Sequence, residues 1–166
     1  MAEKELYKIL KEKFEKLFKN GVENIRNVYL EITADRKFSN RLREKIPHNR
    51  EIIFVFLREI APDITGFIER ETSPGFTTHE FIVIEVKDEP LKIDHVYQTR
   101  KYAELFDAKF AFLVTTQEIP EELKRLSRVV YSLLSLPGYR RLTLTFFDKT
   151  TGEFVDWFEG NPFERR

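Results

Sequence analysis

Two short stretches of this chain hold side chains whose types and spacing could do metal-assisted chemistry: Pro62-Asp63 and Glu85-Val86-Lys87. Asp63 begins an apolar segment, Ile64-Thr65-Gly66-Phe67-Ile68, and Glu85-Val86-Lys87 ends another, Phe81-Ile82-Val83-Ile84. Side chains alternate across a strand, so Glu85 and Lys87 point to one face. A hairpin joining the two segments would set Asp63 beside them. Paired carboxylates and an ammonium would then meet at one end of a buried sheet. Carboxylate oxygens suit hard dications such as Mg²⁺ or Mn²⁺, and phosphodiester hydrolysis uses such an ion. The Val86 carbonyl falls between the two side chains and is a third oxygen of the kind these ions accept.

The spacing carries more information than the residue types. An acid two residues before a lysine also occurs at Asp35-Lys37, Asp107-Lys109 and Glu122-Lys124, as expected in a chain that is 34% charged. Pro-Asp occurs once, and only Glu85-Lys87 both closes a long apolar run and follows Pro-Asp at hairpin distance. Glu122 and Lys124 fall in a helical pattern, where residues i and i+2 do not share a face. The competing reading makes Asp63, Glu85 and Lys87 a solvated strand end with a local ion pair. The chain is then an α/β domain with no nucleic-acid role, and the Asp63 and Glu85 carboxylates stand well apart.

The pattern Pro62-Asp63 … Glu85-Val86-Lys87 resembles the signature of the PD-(D/E)xK nuclease superfamily. That superfamily includes many restriction enzymes, RecB-type nuclease domains and archaeal Holliday-junction resolvases. Gln98-Thr99-Arg100-Lys101-Tyr102 is similar to the Gln-x-x-x-Tyr motif of the RecB-like branch, and it follows the Glu-x-Lys strand as it does there. The run Ala2 to Leu10 is similar to the first helix of the archaeal resolvases, whose glutamate helps bind metal. The resemblance covers roughly residues 1–18 and 61–115. It implies a three-layer, restriction-endonuclease-like α/β fold, with a central mixed sheet flanked by helices. It implies a Mg²⁺- or Mn²⁺-dependent nuclease, foremost a DNA endonuclease. Asp63 and Glu85 would hold the ion, with the Val86 carbonyl and Glu3 beside them. Lys87 would orient the attacking hydroxide or neutralise phosphoryl oxygens, and Gln98 would hold Lys87 or a water. A homodimer is admitted, since many members cut two strands with two subunits. The alternative is a catalytically weak module of this fold that binds DNA or a protein partner.

Elements must position these groups. Residues 3–19 form an amphipathic helix with the stripe Leu6, Ile9, Leu10, Phe14, Leu17 and Phe18, closed by Asn20-Gly21. At 3.6 residues per turn Glu3 projects onto this stripe, whereas Glu5, Glu12 and Glu15 do not. Residues 22–50 are expected to be helical in part and to close at Pro47. Ile52 to Leu57 suits a strand or a buried segment. Residues 64–69 and 81–87 pair as strands across a turn at Pro74-Gly75. Asp94 caps a helix over 95–106. Residues 109–115 make the next strand, completing a parallel βαβ unit. Pro120 opens a helix to about Ser135. Two last strands, 141–147 and 153–158, flank a turn at Thr151-Gly152.

Composition bounds the rest. A chain of 166 residues with 42% hydrophobic residues suits one domain with a substantial core. With no Cys, disulfides, thiolate nucleophiles and zinc–thiolate sites are excluded. The histidines His48, His79 and His95 lack metal-ligand spacing. His95 lies one helical turn before Gln98, where it approaches a substrate phosphate or is simply a polar helix-start position. The charged first twenty residues contain no signal-peptide core, and the longest strongly apolar run, Ile52 to Leu57, is too short to span a bilayer. A cytoplasmic protein is expected. Abundant Lys and Glu with one Met is compatible with a thermophile. The net charge of zero, from 28 basic and 28 acidic residues, counts against a purely electrostatic nucleic-acid binder. Charge can still be segregated: Arg36, Lys37, Arg41, Arg43, Lys45 and Arg50 stand against Glu44 alone in residues 36–50. This run either contacts phosphates or is a solvated helix face. Arg125, Arg128, Arg140 and Arg141 form a weaker second cluster.

Overall fold

The stripe of the first helix repeats every fourth residue, and Leu6, Leu10, Phe14 and Phe18 are each at most 2% exposed. In the computed structural model, which describes residues 2–164, these side chains belong to α1 (Glu3–Gly21). They pack on one face of a mixed sheet, against Leu30, Ile64, Ile68, Ile82, Ile84, Val86, Phe112, Val114 and Phe147. Phe163 closes this layer and stacks on Phe112 at 5.6 Å between ring centroids.

The sheet holds β1 (Ile25–Ile32), β2 (Ile64–Ser73), β3 (Phe76–Lys87), β4 (Phe110–Thr115), β5 (Ser135–Leu136), β6 (Arg140–Asp148) and β7 (Glu153–Trp157). Their order is β1-β2-β3-β4-β6-β5, with β7 also paired to β6. β1, β2 and β3 run antiparallel in turn, whereas β3, β4 and β6 are parallel. The crossovers between the parallel strands are α4 (Ile93–Phe106) and α5 (Glu121–Val129). Both lie on the face opposite α1, with two short helices, α2 (Asn40–Arg43) and α3 (Ile53–Phe56). The fold is therefore a three-layer α/β arrangement. Phe67, Phe81, Val83, Ala111, Leu113, Leu142 and Leu144 fill the α4 side of the sheet. A central strand buried on both faces reads as a continuous apolar run, which is why residues 81–84 show no polar alternation. Among the described residues no helix is long and apolar enough to cross a membrane.

Several elements differ from the sequence expectation. The segment expected to be helical in part does hold α2 and a helical turn at His48–Arg50, but it begins with β1, an edge strand that was not expected. The alternation in Val28-Tyr29-Leu30-Glu31-Ile32 is its signal, and a register shift between Ile25 and Asn27 keeps that alternation from reaching the start of the strand. Ile52 to Leu57 is no strand. It folds into the α3 turn, burying Ile53, Phe54 and Leu57 while Ile52 and Phe56 remain 62% and 61% exposed. Here tertiary packing overrides β-branched and aromatic propensity. α4 begins two residues earlier than expected, so Asp94 sits in its first turn and Lys92 is the cap residue. α5 stops at Val129, and Ser135-Leu136 pairs with β6.

Candidate active site

The hairpin β2–β3 pairs Ile64 with Ile84, which puts Asp63, just before β2, beside Glu85 near the end of β3. The carboxyl ends of parallel strands are where open α/β sheets usually bind ligands. Asp63 is fixed from two sides. Its amide N–H donates to Glu85 Oε1 at 3.3 Å, and its Oδ2 accepts the Val86 N–H at 2.7 Å. Its carbonyl accepts the Thr33 N–H at 2.8 Å. The Thr33 hydroxyl donates to the Pro62 carbonyl at 2.6 Å, and the Thr65 hydroxyl lies 2.7 Å from it. The loop after β1 thus clamps Pro62-Asp63. The Asp63 N–H contact with Glu85, and the upward push of the Asp63 charge on the Glu85 carboxyl, bring the two residues together, at odds with the wide separation that the competing reading expects.

Glu85 faces the α4 side, 2% exposed, among Val83, Leu113 and Tyr102 in that layer. Burial pushes its carboxyl up to about 10, and the hydrogen bond and charge of Asp63 push in the same direction. Lys87 opposes this, with Nζ 3.9 Å from Glu85 Oε2, as expected for residues sharing a strand face. Were Glu85 ionised, two carboxylates would face one ammonium and leave the cluster short of positive charge. A dication would supply it. The oxygen set fits one: Asp63, Glu85 and the Val86 carbonyl. A residue's N–H and C=O point to the same side of a strand. The Val86 carbonyl therefore faces the Asp63 side, beyond the last pairing of β2 with β3. Among the described residues no three His, Cys, Asp or Glu side chains gather into a metal-holding group. Any cage must draw on backbone oxygen, water or substrate as well, which is usual for Mg²⁺.

α4 lines the other wall. Gln98 Nε2 donates to the Tyr102 hydroxyl at 3.2 Å, so Gln98 touches Tyr102 rather than Lys87. Tyr102 is fully buried, and burial followed by the charge of Glu85 raises the affinity of its hydroxyl for its proton. Gln98 also faces a shallow depression of about 420 Å³, shared with Ile60, Asp94, His95, Tyr97 and Lys101. His95 is not directed at this opening as a free base. Its Nδ1 accepts the Lys92 N–H at 3.0 Å and its Nε2 lies 3.0 Å from Glu89 Oε1. Burial and the charge of Lys87 lower its proton affinity against the opposing pull of Glu89.

Glu3 stands on the exposed first turn of α1 rather than among the buried stripe. It still reaches the site's edge, because the buried Tyr7 hydroxyl donates to Glu3 Oε1 at 2.8 Å. Burial, then the Asp63 charge, raises the proton affinity of that hydroxyl. The i, i+4 spacing of Glu3 and Tyr7 is the sequence signal for this contact, but it points to a site only once Asp63 is known to be adjacent.

The basic run disperses. Arg50 donates to the Glu104 and Leu105 carbonyls at 2.9 and 2.6 Å, closing the C-terminus of α4. Lys45 pairs with Glu69 at 3.3 Å. Arg36 reaches the Glu59 carbonyl at 3.4 Å. The Lys37 amide binds Asp35 in the same turn. Arg41 and Arg43 lie over the rings of Tyr29 and Phe54, at 4.0 and 4.3 Å. In the second cluster Arg140 binds Asp107 and Arg141 binds Glu159. No protein-family model matches the chain, and no curated protein or solved structure matches it either.

Proposed function

We propose that this chain is a metal-dependent nuclease of the PD-(D/E)xK type, hydrolysing phosphodiester bonds in nucleic acid, DNA foremost. The observation that carries this reading is the convergence of Asp63 with a buried Glu85 that Lys87 approaches at 3.9 Å. Asp63, Glu85 and the Val86 carbonyl would hold a Mg²⁺ or Mn²⁺. Bound there, the ion lowers the pKa of a water and draws charge off the phosphate. The Lys87 ammonium lies on the same strand face and remains partly exposed, so it can meet the attacking water or a phosphoryl oxygen. Gln98 keeps the α4 wall in position through Tyr102. The absence of Cys fits a route without a thiolate intermediate.

A second reading, a nuclease-fold module that binds but barely cleaves, draws support from the arginines already tied to carbonyls and carboxylates. One experiment separates the two. Cleavage of duplex, single-stranded, flap and four-way-junction substrates is measured with Mg²⁺ and with Mn²⁺. The nuclease reading expects cleavage that EDTA abolishes, and that Asp63→Ala and Glu85→Ala each lose without unfolding. Cleavage undiminished in both variants, or indifferent to EDTA, overturns the nuclease reading.

A further inference from the structure

A glutamate in the exposed first turn of a helix ordinarily samples many rotamers. Glu3 does not have that freedom, because Tyr7, one turn later, donates its hydroxyl to Glu3 Oε1 at 2.8 Å. Tyr7 is 6% exposed, so its ring is locked in the α1 layer and its hydroxyl has a fixed direction. The same hydroxyl is within interaction range of the Asp63 carboxylate. One phenol thus meets one carboxylate from its own helix and is in range of another that lies about sixty residues further along the sequence. It has a single hydrogen, which Glu3 takes, leaving its oxygen lone pairs as acceptors toward the site. The helix gains nothing obvious from the arrangement: Ala2 provides no side-chain cap, and Glu3 could satisfy the helix dipole from any rotamer.

We infer that Tyr7 is a positioning residue for the divalent ion, acting through Glu3 and Asp63. Its hydroxyl holds the Glu3 carboxylate where it can accept from the ion's water shell. It also presents its own oxygen to that shell beside Asp63. The inference rests on the nuclease reading of the site. It adds a residue from α1 to a constellation otherwise built on the β2–β3 hairpin. Partners that orient ligands in this way are typically worth tenfold or more in metal affinity or activity.

The test is Mn²⁺ binding by calorimetry on the full chain, with thermal melting in EDTA beside it. Tyr7→Phe keeps the buried ring and removes only the hydroxyl. It should weaken Mn²⁺ binding by about tenfold while moving the EDTA melting temperature little. Glu3→Gln should weaken binding by a similar factor, and the double variant should be no weaker than the poorer single one. Effects that multiply in the double variant would make Tyr7 and Glu3 independent and overturn the coupling. Wild-type affinity in Tyr7→Phe, with a lowered EDTA melting temperature, would leave a merely structural hydroxyl and overturn it too. Asp63→Ala is measured alongside. If it binds Mn²⁺ as wild type does, the metal site itself is refuted, and the role of Tyr7 falls with it. If it loses binding while Tyr7→Phe does not, only the present inference is refuted.

Discussion

Glu85 is where burial and charge conflict most sharply. Its carboxyl is 2% exposed and pushed up from 4.5 to about 10, first by burial and then by Asp63. Between those limits the folded protein holds a proton that the unfolded chain has released. The contribution to stability is therefore complete below the ordinary glutamate value and is lost as pH rises toward 10. Glu85→Gln removes the titration and keeps the shape. In EDTA the variant should melt above wild type at pH 8, with the gap closing toward pH 5. Adding Mg²⁺ should favour wild type, whose ionised carboxylate then gains a counter-charge. Parallel melting curves across that range would show that Glu85 carries no such burden. Lys87 makes the complementary case. It sits 3.9 Å from Glu85, and on the nuclease reading it acts on water or phosphate rather than as a ligand, so Lys87→Ala should bind Mn²⁺ nearly as wild type does while turnover falls by ~10²–10³. A loss of metal affinity matching that of Asp63→Ala would assign Lys87 a different role.

At the level of elements, the site depends on β1 and β2 lying close enough for Thr33 to clamp Asp63. Gly66 permits that approach. A Cβ there would lie 1.9 Å from the Tyr29 carbonyl oxygen and 2.8 Å from the Leu30 Cα. Both are backbone atoms, which cannot swing aside as a flexible side chain would. Gly66→Ala should therefore cost roughly 3 kcal/mol, or prevent accumulation of folded protein. Urea unfolding with a wild-type midpoint would show that the strands separate at little cost. The two arginines at the end of α4 illustrate the same dependence on neighbours. Arg50 and Arg140 both donate to carbonyls there, where the helix dipole favours cations.

For the molecule as a whole, charge is balanced and largely paired. Lys45, Arg50, Arg140 and Arg141 already have carboxylate or carbonyl partners. Arg41 and Arg43 differ: their guanidinium groups rest on aromatic rings and keep N–H donors for a phosphate. If the chain binds a nucleic-acid backbone, these two should carry more of it than Arg50. Replacing both by Ala should weaken binding to all sequences alike and flatten the salt dependence by roughly one log–log unit per lost contact. Arg50→Ala should leave that slope alone and lower stability. An unchanged slope in the Arg41/Arg43 variant would move the binding surface to another part of the molecule.

The sequence by itself determined what is local or strictly periodic. The stripe of α1 follows from its four-residue spacing, and the β2–β3 hairpin follows from apolar runs around Pro74-Gly75. The parallel βαβ unit follows from α4 lying between two such runs. The adjacency of Asp63 and Glu85 was legible because a hairpin fixes register, and register fixes which side chains face each other. The tertiary structure decided everything that depends on a distant partner. β1 becomes a strand because β2 offers an edge, despite the break at Ile25 and Asn27. Ile52 to Leu57 turns helical because only one side of it meets the core. Thr33 and Tyr7 join the site only when chain segments far apart in sequence close on Asp63. The basic run looked like one surface, but its members answer to different neighbours, from the Tyr29 ring to the α4 carbonyls. Sequence spacing specifies faces along one element. Which face meets which is set by packing that no single segment encodes.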